Sequence, residues 1–141
     1  MIAHMNDCLF CKIVAGEIPA RKVYEDEHFL AFLDIFPAGR GHTLVIPKSH
    51  HQDIESIPED LYGDLALRVK RVSDIVTEKL SPDGVTVLQM NKSAGWQSVF
   101  HIHFHVIPRW KADALHKPWD LSPGKESELD ELQQIIGLHQ G

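Results

Sequence analysis

Cysteine is scarce, positive charge is outnumbered and long apolar runs are missing, and each shortage removes a class of protein. Only Cys8 and Cys11 occur among 141 residues, too few and too close for a disulfide scaffold, because bridging so short a loop removes little entropy from the unfolded chain. Lys and Arg number 14 against 20 Asp and Glu, a net charge of −6. That balance argues against general nucleic-acid affinity through a basic field, although a single nucleotide needs only a local anion site. No apolar run approaches the ~18 residues that read as a membrane span, and no stretch resembles a secretion signal. A cytoplasmic location with no membrane partner is therefore expected. Internal repeats and low-complexity segments are also missing.

What is present is an ordinary globular composition, 43% hydrophobic and 24% charged. A chain of this length suits one domain, large enough to bury roughly two-thirds of its unfolded surface. Residues 1–6 are expected to be a disordered start or an added remnant, 7–110 the folded domain, and 111–141 a tail and helix of the same domain. A short helical turn is expected at 10–14, and apolar runs at 23–24, 29–33 and 43–46 read as strands. Proline and two glycines between 34 and 41 make a loop. Residues 58–80 are the clearest helix. Its proline, followed by Glu59 and Asp60, suits a first turn, and Leu61, Leu65, Val69, Val72, Val76 and Leu80 form one apolar stripe. A strand at 85–90, a polar loop at 91–98 and a last helix at 128–138 follow, with Leu129, Leu132, Ile135 and Ile136 as the helix's apolar side. Strands in hairpin-compatible runs plus one long helix predict an α+β fold with an antiparallel sheet.

The chemistry concentrates at His101-Ile102-His103-Phe104-His105-Val106-Ile107. Successive side chains of a strand point to opposite faces, so Ile102, Phe104 and Val106 would enter a core while three imidazoles line the other face. Three polar rings side by side are costly to desolvate unless they bind something; a metal or an anionic substrate fits. A catalytic metal held by all three rings would leave Cys8, Cys11 and Asp34 unexplained, and the H-x-E and P-C-x-x-C pairs of zinc deaminases do not occur. Cys8 and Cys11 themselves read either as two thiolate ligands that need two more from elsewhere or as two small buried residues. No βαβ pattern follows them, which disfavours a redox pair.

Four ordered blocks then add up to a family. The stretch QSVFHIHFHVIPR at 97–109 resembles the signature of the histidine triad (HIT) superfamily. CLFCKIVAGEIPA at 8–20 is similar to that family's opening segment, and FLDIFP at 32–37 and GHTLVIPKSH at 41–50 to its middle blocks. The nearest branch is the nucleotide-binding Hint-like group with its bacterial relatives. This resemblance implies a HIT-like fold: an antiparallel sheet of about five strands, one long helix and a C-terminal helix, with the sheet continued across a homodimer.

It also implies a hydrolase or transferase acting at the α-phosphate of purine nucleotide derivatives, such as phosphoramidates, adenylates or dinucleoside polyphosphates. His103 would be the nucleophile that forms a covalent nucleotidyl intermediate, its second ring nitrogen bonded to a fixed acceptor. His105 would donate to phosphate oxygens or the leaving group, and Ser98 with the backbone near Gln97 would supply further donors. Asn91 would face the phosphate or leaving group, and Asp34 would accept from the ribose. Leu9, Phe10, Phe32 and Ile35 would make an apolar slot for the base, or are simply core. The alternative function is a nucleotide-binding sensor or interaction module with weak hydrolysis.

The resemblance further implies one structural zinc, held by Cys8, Cys11, His50 and His101, with His51 a rival for His50; no catalytic metal is expected. His28, His42, His116 and His139 read as surface or capping residues. Trp96, Trp110 and Trp119 are expected in core or interface packing more than in substrate contact.

Overall fold

The computed structural model of the chain describes residues 7–117 and 119–141, so the expectation for residues 1–6 lies outside the described residues. Five strands form one antiparallel sheet: β1 (Lys22–Glu25), β2 (Phe29–Leu33), β3 (Thr43–Pro47), β4 (Gly84–Gln89) and β5 (Phe104–Arg109), in the order β1-β2-β3-β5-β4. The helices are α1 (Leu9–Val14), α2 (Glu59–Leu80) and α3 (Glu126–Ile136). This is the α+β, five-stranded arrangement expected from the sequence.

Central strands β2 and β3 are buried on both faces, which is why FLAFL and TLVIP read as unbroken apolar runs rather than alternating ones. One face carries Phe29, Ala31, Val45, Ile102 and Val106 against Leu65, Val69, Val72 and Val76 of α2. The other carries Leu30, Phe32, Leu44 and Ile46 against Cys8, Phe10 and Ile13 of the α1 segment. The α2 stripe is thus core, as its spacing predicted. Its start has Pro58 at the cap and Glu59 and Asp60 in the first turn, and it ends at Ser81, in the left-handed region, whose N–H bonds Thr77 O.

The histidine row departs from expectation in one respect. The ladder of β5 begins only at Phe104, so His101 and His103 precede the paired strand and only His105 lies within it. Side-chain alternation survives nevertheless: Ile102 and Val106 are fully buried on the α2 face, with the rings of His101 and His103 buried on the α1 face. The last helix starts and stops two residues earlier than read from the sequence. Leu129, Leu132, Ile135 and Ile136 are all exposed, so among the described residues its apolar side is not taken into the core.

Gly41 sits before β3 at φ +81, where a Cβ would stand 2.6 Å from Leu80 Cδ1 and 3.1 Å from Pro108 Cγ. The left-handed backbone alone costs a side chain about 1–2 kcal/mol. Gly41→Ala is expected to destabilise the fold by at least that amount, read as a lower urea midpoint with an unchanged slope.

Candidate active site and metal centre

The site is built where three segments meet on the α1 face of the sheet: the α1 turn, the loop between β2 and β3, and the run from Gln97 into β5. A cavity of about 290 Å³ lies there, lined among others by Leu9, Phe10, Phe32, Asp34, Ile35, Ser98, His103 and His105. Phe10 and Phe32 meet edge to face at 5.4 Å and are both buried, so they are core and cavity wall at once. Ile35 is 70% exposed and forms part of the mouth.

His103 is buried, and its Nδ1 lies 2.8 Å from the backbone oxygen of His101. A carbonyl only accepts, so Nδ1 carries the proton and Nε2 keeps the lone pair. Burial pushes the ring's proton affinity below its ordinary value, which keeps that lone pair available at neutral pH. The ring is seated edge-on against Phe10, 5.1 Å between centroids.

His105 is set by a residue that the sequence had assigned to the surface. His42 is 6% exposed, and its Nδ1 accepts the Ala38 N–H at 2.9 Å. The remaining proton of a neutral His42 must therefore sit on Nε2, which lies 2.9 Å from His105 Nδ1 and 3.6 Å from Asp34 Oδ2. His42 donates to His105 Nδ1, so neutral His105 carries its own proton on Nε2. The surface or capping role expected for His42 is thus corrected. Its signal was hard to see: the contact spans 63 residues and depends on β3 pairing with β5. His42→Ala is expected to release the His105 ring from its single Nε2–H tautomer, which nitrogen-15 NMR of that ring would check.

Burial, followed by the neighbouring His103 and His42, depresses His105 to about 4 from 6.5. Because the folded value lies below the unfolded one, the unfolded chain takes up this proton first. Stability is therefore full above about pH 6.5 and is lost as pH falls toward 4. Urea midpoints measured across that window should fall with acidification, and less steeply for His105→Asn.

The side chains of Gln97 and Asn91 are engaged within the loop that leads into β5. Gln97 is buried, but its Oε1 accepts the Lys92 N–H at 2.7 Å and its Nε2 donates to Gln52 O at 2.6 Å and Val99 O at 3.0 Å. Asn91 Oδ1 accepts the Ile54 N–H at 2.7 Å, and its amide pairs with Gln89. Both side chains are consumed in bracing the loop, which satisfies backbone groups that a turn leaves unpaired. Trp96 and Trp119 do not enter the core: they stack on each other at 5.6 Å and are 54% and 58% exposed.

Beside the cavity, Cys8, Cys11, His50 and His101 bring their donor atoms within 4.8 Å of one another. Tetrahedral zinc with Zn–N of 2.0–2.1 Å and Zn–S of 2.3 Å spaces nitrogens about 3.3 Å apart and nitrogen from sulfur about 3.6 Å apart. Here the Nδ1 atoms of His50 and His101 are 3.3 Å apart. Cys8 Sγ and Cys11 Sγ lie 3.4 and 3.5 Å from His101 Nδ1, and Cys11 Sγ lies 3.3 Å from His50 Nδ1. His101 Nε2 donates to Pro47 O at 2.8 Å, which leaves Nδ1 bare toward the sulfurs, as a ligand requires. Burial and the adjacent Cys8 push the Cys11 thiol up to about 12, so a cation is what would make this pair of thiolates stable. The donor set fits a closed zinc site. His51 is not part of it: its ring turns to Ser49 Oγ at 3.1 Å while its backbone oxygen accepts the Ile102 N–H at 2.7 Å.

The three rings of the row therefore do not converge on one centre. His101 faces the cysteines, His103 the His101 carbonyl, and His105 faces His42.

The family model of the HIT domain matches residues 15–112. The chain belongs to the HIT family. The HIT protein named Protein hit of Bacillus subtilis is 44% identical over 131 residues, 92% of this chain and 90% of that one. Adenosine 5'-monophosphoramidase hnt1 of Schizosaccharomyces pombe is 38% identical over 130 residues, 92% of this chain and 95% of its own. The crystal structure of a Zn-bound histidine triad family protein from Mycobacterium smegmatis superposes with a TM-score of 0.76 at 38% identity, covering 93% of this chain and 99% of that one. The Mycobacterium smegmatis protein thus shares the fold of this chain, and no helix among the described residues is long and apolar enough to cross a membrane.

Proposed function

We propose that this HIT protein is a nucleotide hydrolase that attacks the α-phosphate of purine nucleotide derivatives through His103. The observation that carries the reading is the proton placement on two rings lining one cavity: His103 with Nε2 bare, His105 with Nε2 protonated. The relationship to a monophosphoramidase supports the same class.

In this reading Phe10, Phe32, Leu9 and Ile35 hold the base, and the Asp34 carboxylate accepts from the ribose hydroxyls. The His103 Nε2 lone pair forms a bond to phosphorus as the bond to the leaving group breaks. His105 gives its Nε2 proton to the departing atom and takes one back on Nε2 from the incoming water as that water attacks phosphorus. Ser98, at the cavity wall, donates to a phosphate oxygen as charge develops. Water then attacks phosphorus, the N–P bond breaks, and His103 returns to its starting state. Phosphoramidates, adenylates and dinucleoside polyphosphates all present the required α-phosphate.

Cys8, Cys11, His50 and His101 would hold a zinc that supplies structure, since four protein donors leave no open position for water; a Zn-bound relative supports binding of the metal. A homodimer is supported by the exposed apolar side of α3 and by the outer edge of β4, a strand that carries no charged residue.

Rapid acid-free quenching of the full-length protein with an adenosine phosphoramidate, followed by mass spectrometry, should reveal one nucleoside monophosphate added at His103. Tight nucleotide binding with no adduct and no turnover would instead favour the sensor reading.

A further inference from the structure

The nucleophile residue stands outside the sheet ladder. Pairing of β3 with β5 covers Val45–Phe104, Leu44–His105 and Thr43–Val106 and stops there. The carbonyl that accepts from His103 Nδ1 belongs to His101, so something other than strand pairing must hold it. Three contacts do. The His101 ring bonds Pro47 O through Nε2, presents Nδ1 to the Cys8, Cys11 and His50 donors, and is followed by an Ile102 N–H bonded to His51 O at 2.7 Å. Two of these run through the metal-ligand cluster or the residue next to it.

We infer that the Cys8–Cys11–His50–His101 centre positions the His103 nucleophile, by holding the His101 carbonyl that selects its Nδ1–H tautomer. The inference builds on the hydrolase reading and goes beyond a structural staple: metal occupancy controls catalytic competence. His101 is here a positioning residue, since it touches no substrate. Without a metal, the four groups within 4.8 Å of one another lose the charge that draws them together, and the segment 101–103 keeps the Pro47 and His51 contacts but loses the third of its anchors. A released neutral His103 can then carry its single proton on Nε2 in place of Nδ1, which removes the attacking lone pair while leaving the base and ribose contacts in place.

The test uses the full chain, zinc-loaded and chelator-stripped, together with His50→Asn and His50→Cys; both variants keep three of the four donors. Nitrogen-15 NMR of the His103 ring, assigned with His103→Asn, reports the tautomer, and kinetics on adenosine phosphoramidate report kcat and KM. Zinc-loaded protein should show one Nδ1–H tautomer. Stripped protein and His50→Asn should show a mixture, with kcat down about 10–100-fold and KM near unchanged. His50→Cys, which restores a four-donor set, should recover both on zinc addition. Stripped protein and His50→Asn that keep the single tautomer and full kcat, losing only melting temperature, overturn the inference, as does protein that takes up no zinc. If zinc-loaded protein turns over no nucleotide, the hydrolase reading fails alone, and the tautomer comparison still decides the coupling.

Discussion

His103→Ala is expected to lower turnover by at least about 10⁴-fold while the protein still folds and still binds nucleotide. Removing a nucleophile eliminates the covalent route itself, and losses of 10⁴ to 10⁶ accompany such deletions elsewhere. The fold should survive because His103 contributes one bond, to the His101 carbonyl, and two ring contacts, to Phe10 and His105. An unpaired carbonyl costs about 1–3 kcal/mol, well short of the stability of a domain. Nucleotide affinity should stay within a few-fold, since Phe10, Phe32 and Asp34 remain. Calorimetric binding beside kcat separates the two effects. Near-normal hydrolysis by this variant would remove His103 from the chemistry.

The second large effect is on stability. Stripping zinc from the wild-type chain, or replacing both cysteines with serine, should lower the melting temperature by on the order of 10 °C. A ligand that binds only the folded state adds about 4 kcal/mol at a thousandfold excess over its Kd, and each kcal/mol shifts a domain of this size by a few degrees. The loss should centre on α1, whose 6 residues are too few to be helical alone. Cys8 is its cap, accepting the Cys11 N–H at 3.3 Å, and Phe10 on the same turn walls the cavity. Below the lowered transition α1 stays folded and nucleotide affinity should hold; it should fall only as α1 melts. Scanning calorimetry with zinc and with chelator decides it: identical curves would mean that the four donors hold no stabilising metal.

Much of the fold could be read from the chain because its signals are local. The α2 stripe, the FLAFL and TLVIP runs and the punctuation around Gly41 each lie within one element, and each is found where its spacing placed it. The four donors could be named from the family resemblance, and the structure brings them together. The Asn91 amide illustrates what was not legible: an amide serves equally well as a substrate donor or a loop brace, and only its partners, here Ile54 and Gln89, distinguish the two.

What the sequence determined alone is the sidedness of the histidine row: a period of two sends Ile102 and Val106 to the α2 core and the rings to the α1 face, whatever else surrounds them. What only the tertiary structure decided is which proton each ring holds. Cys8 reaches His101 across 93 residues and His42 reaches His105 across 63. Alternation is a property of neighbouring bonds, whereas a hydrogen-bond partner is chosen by segments that meet only once the sheet has closed.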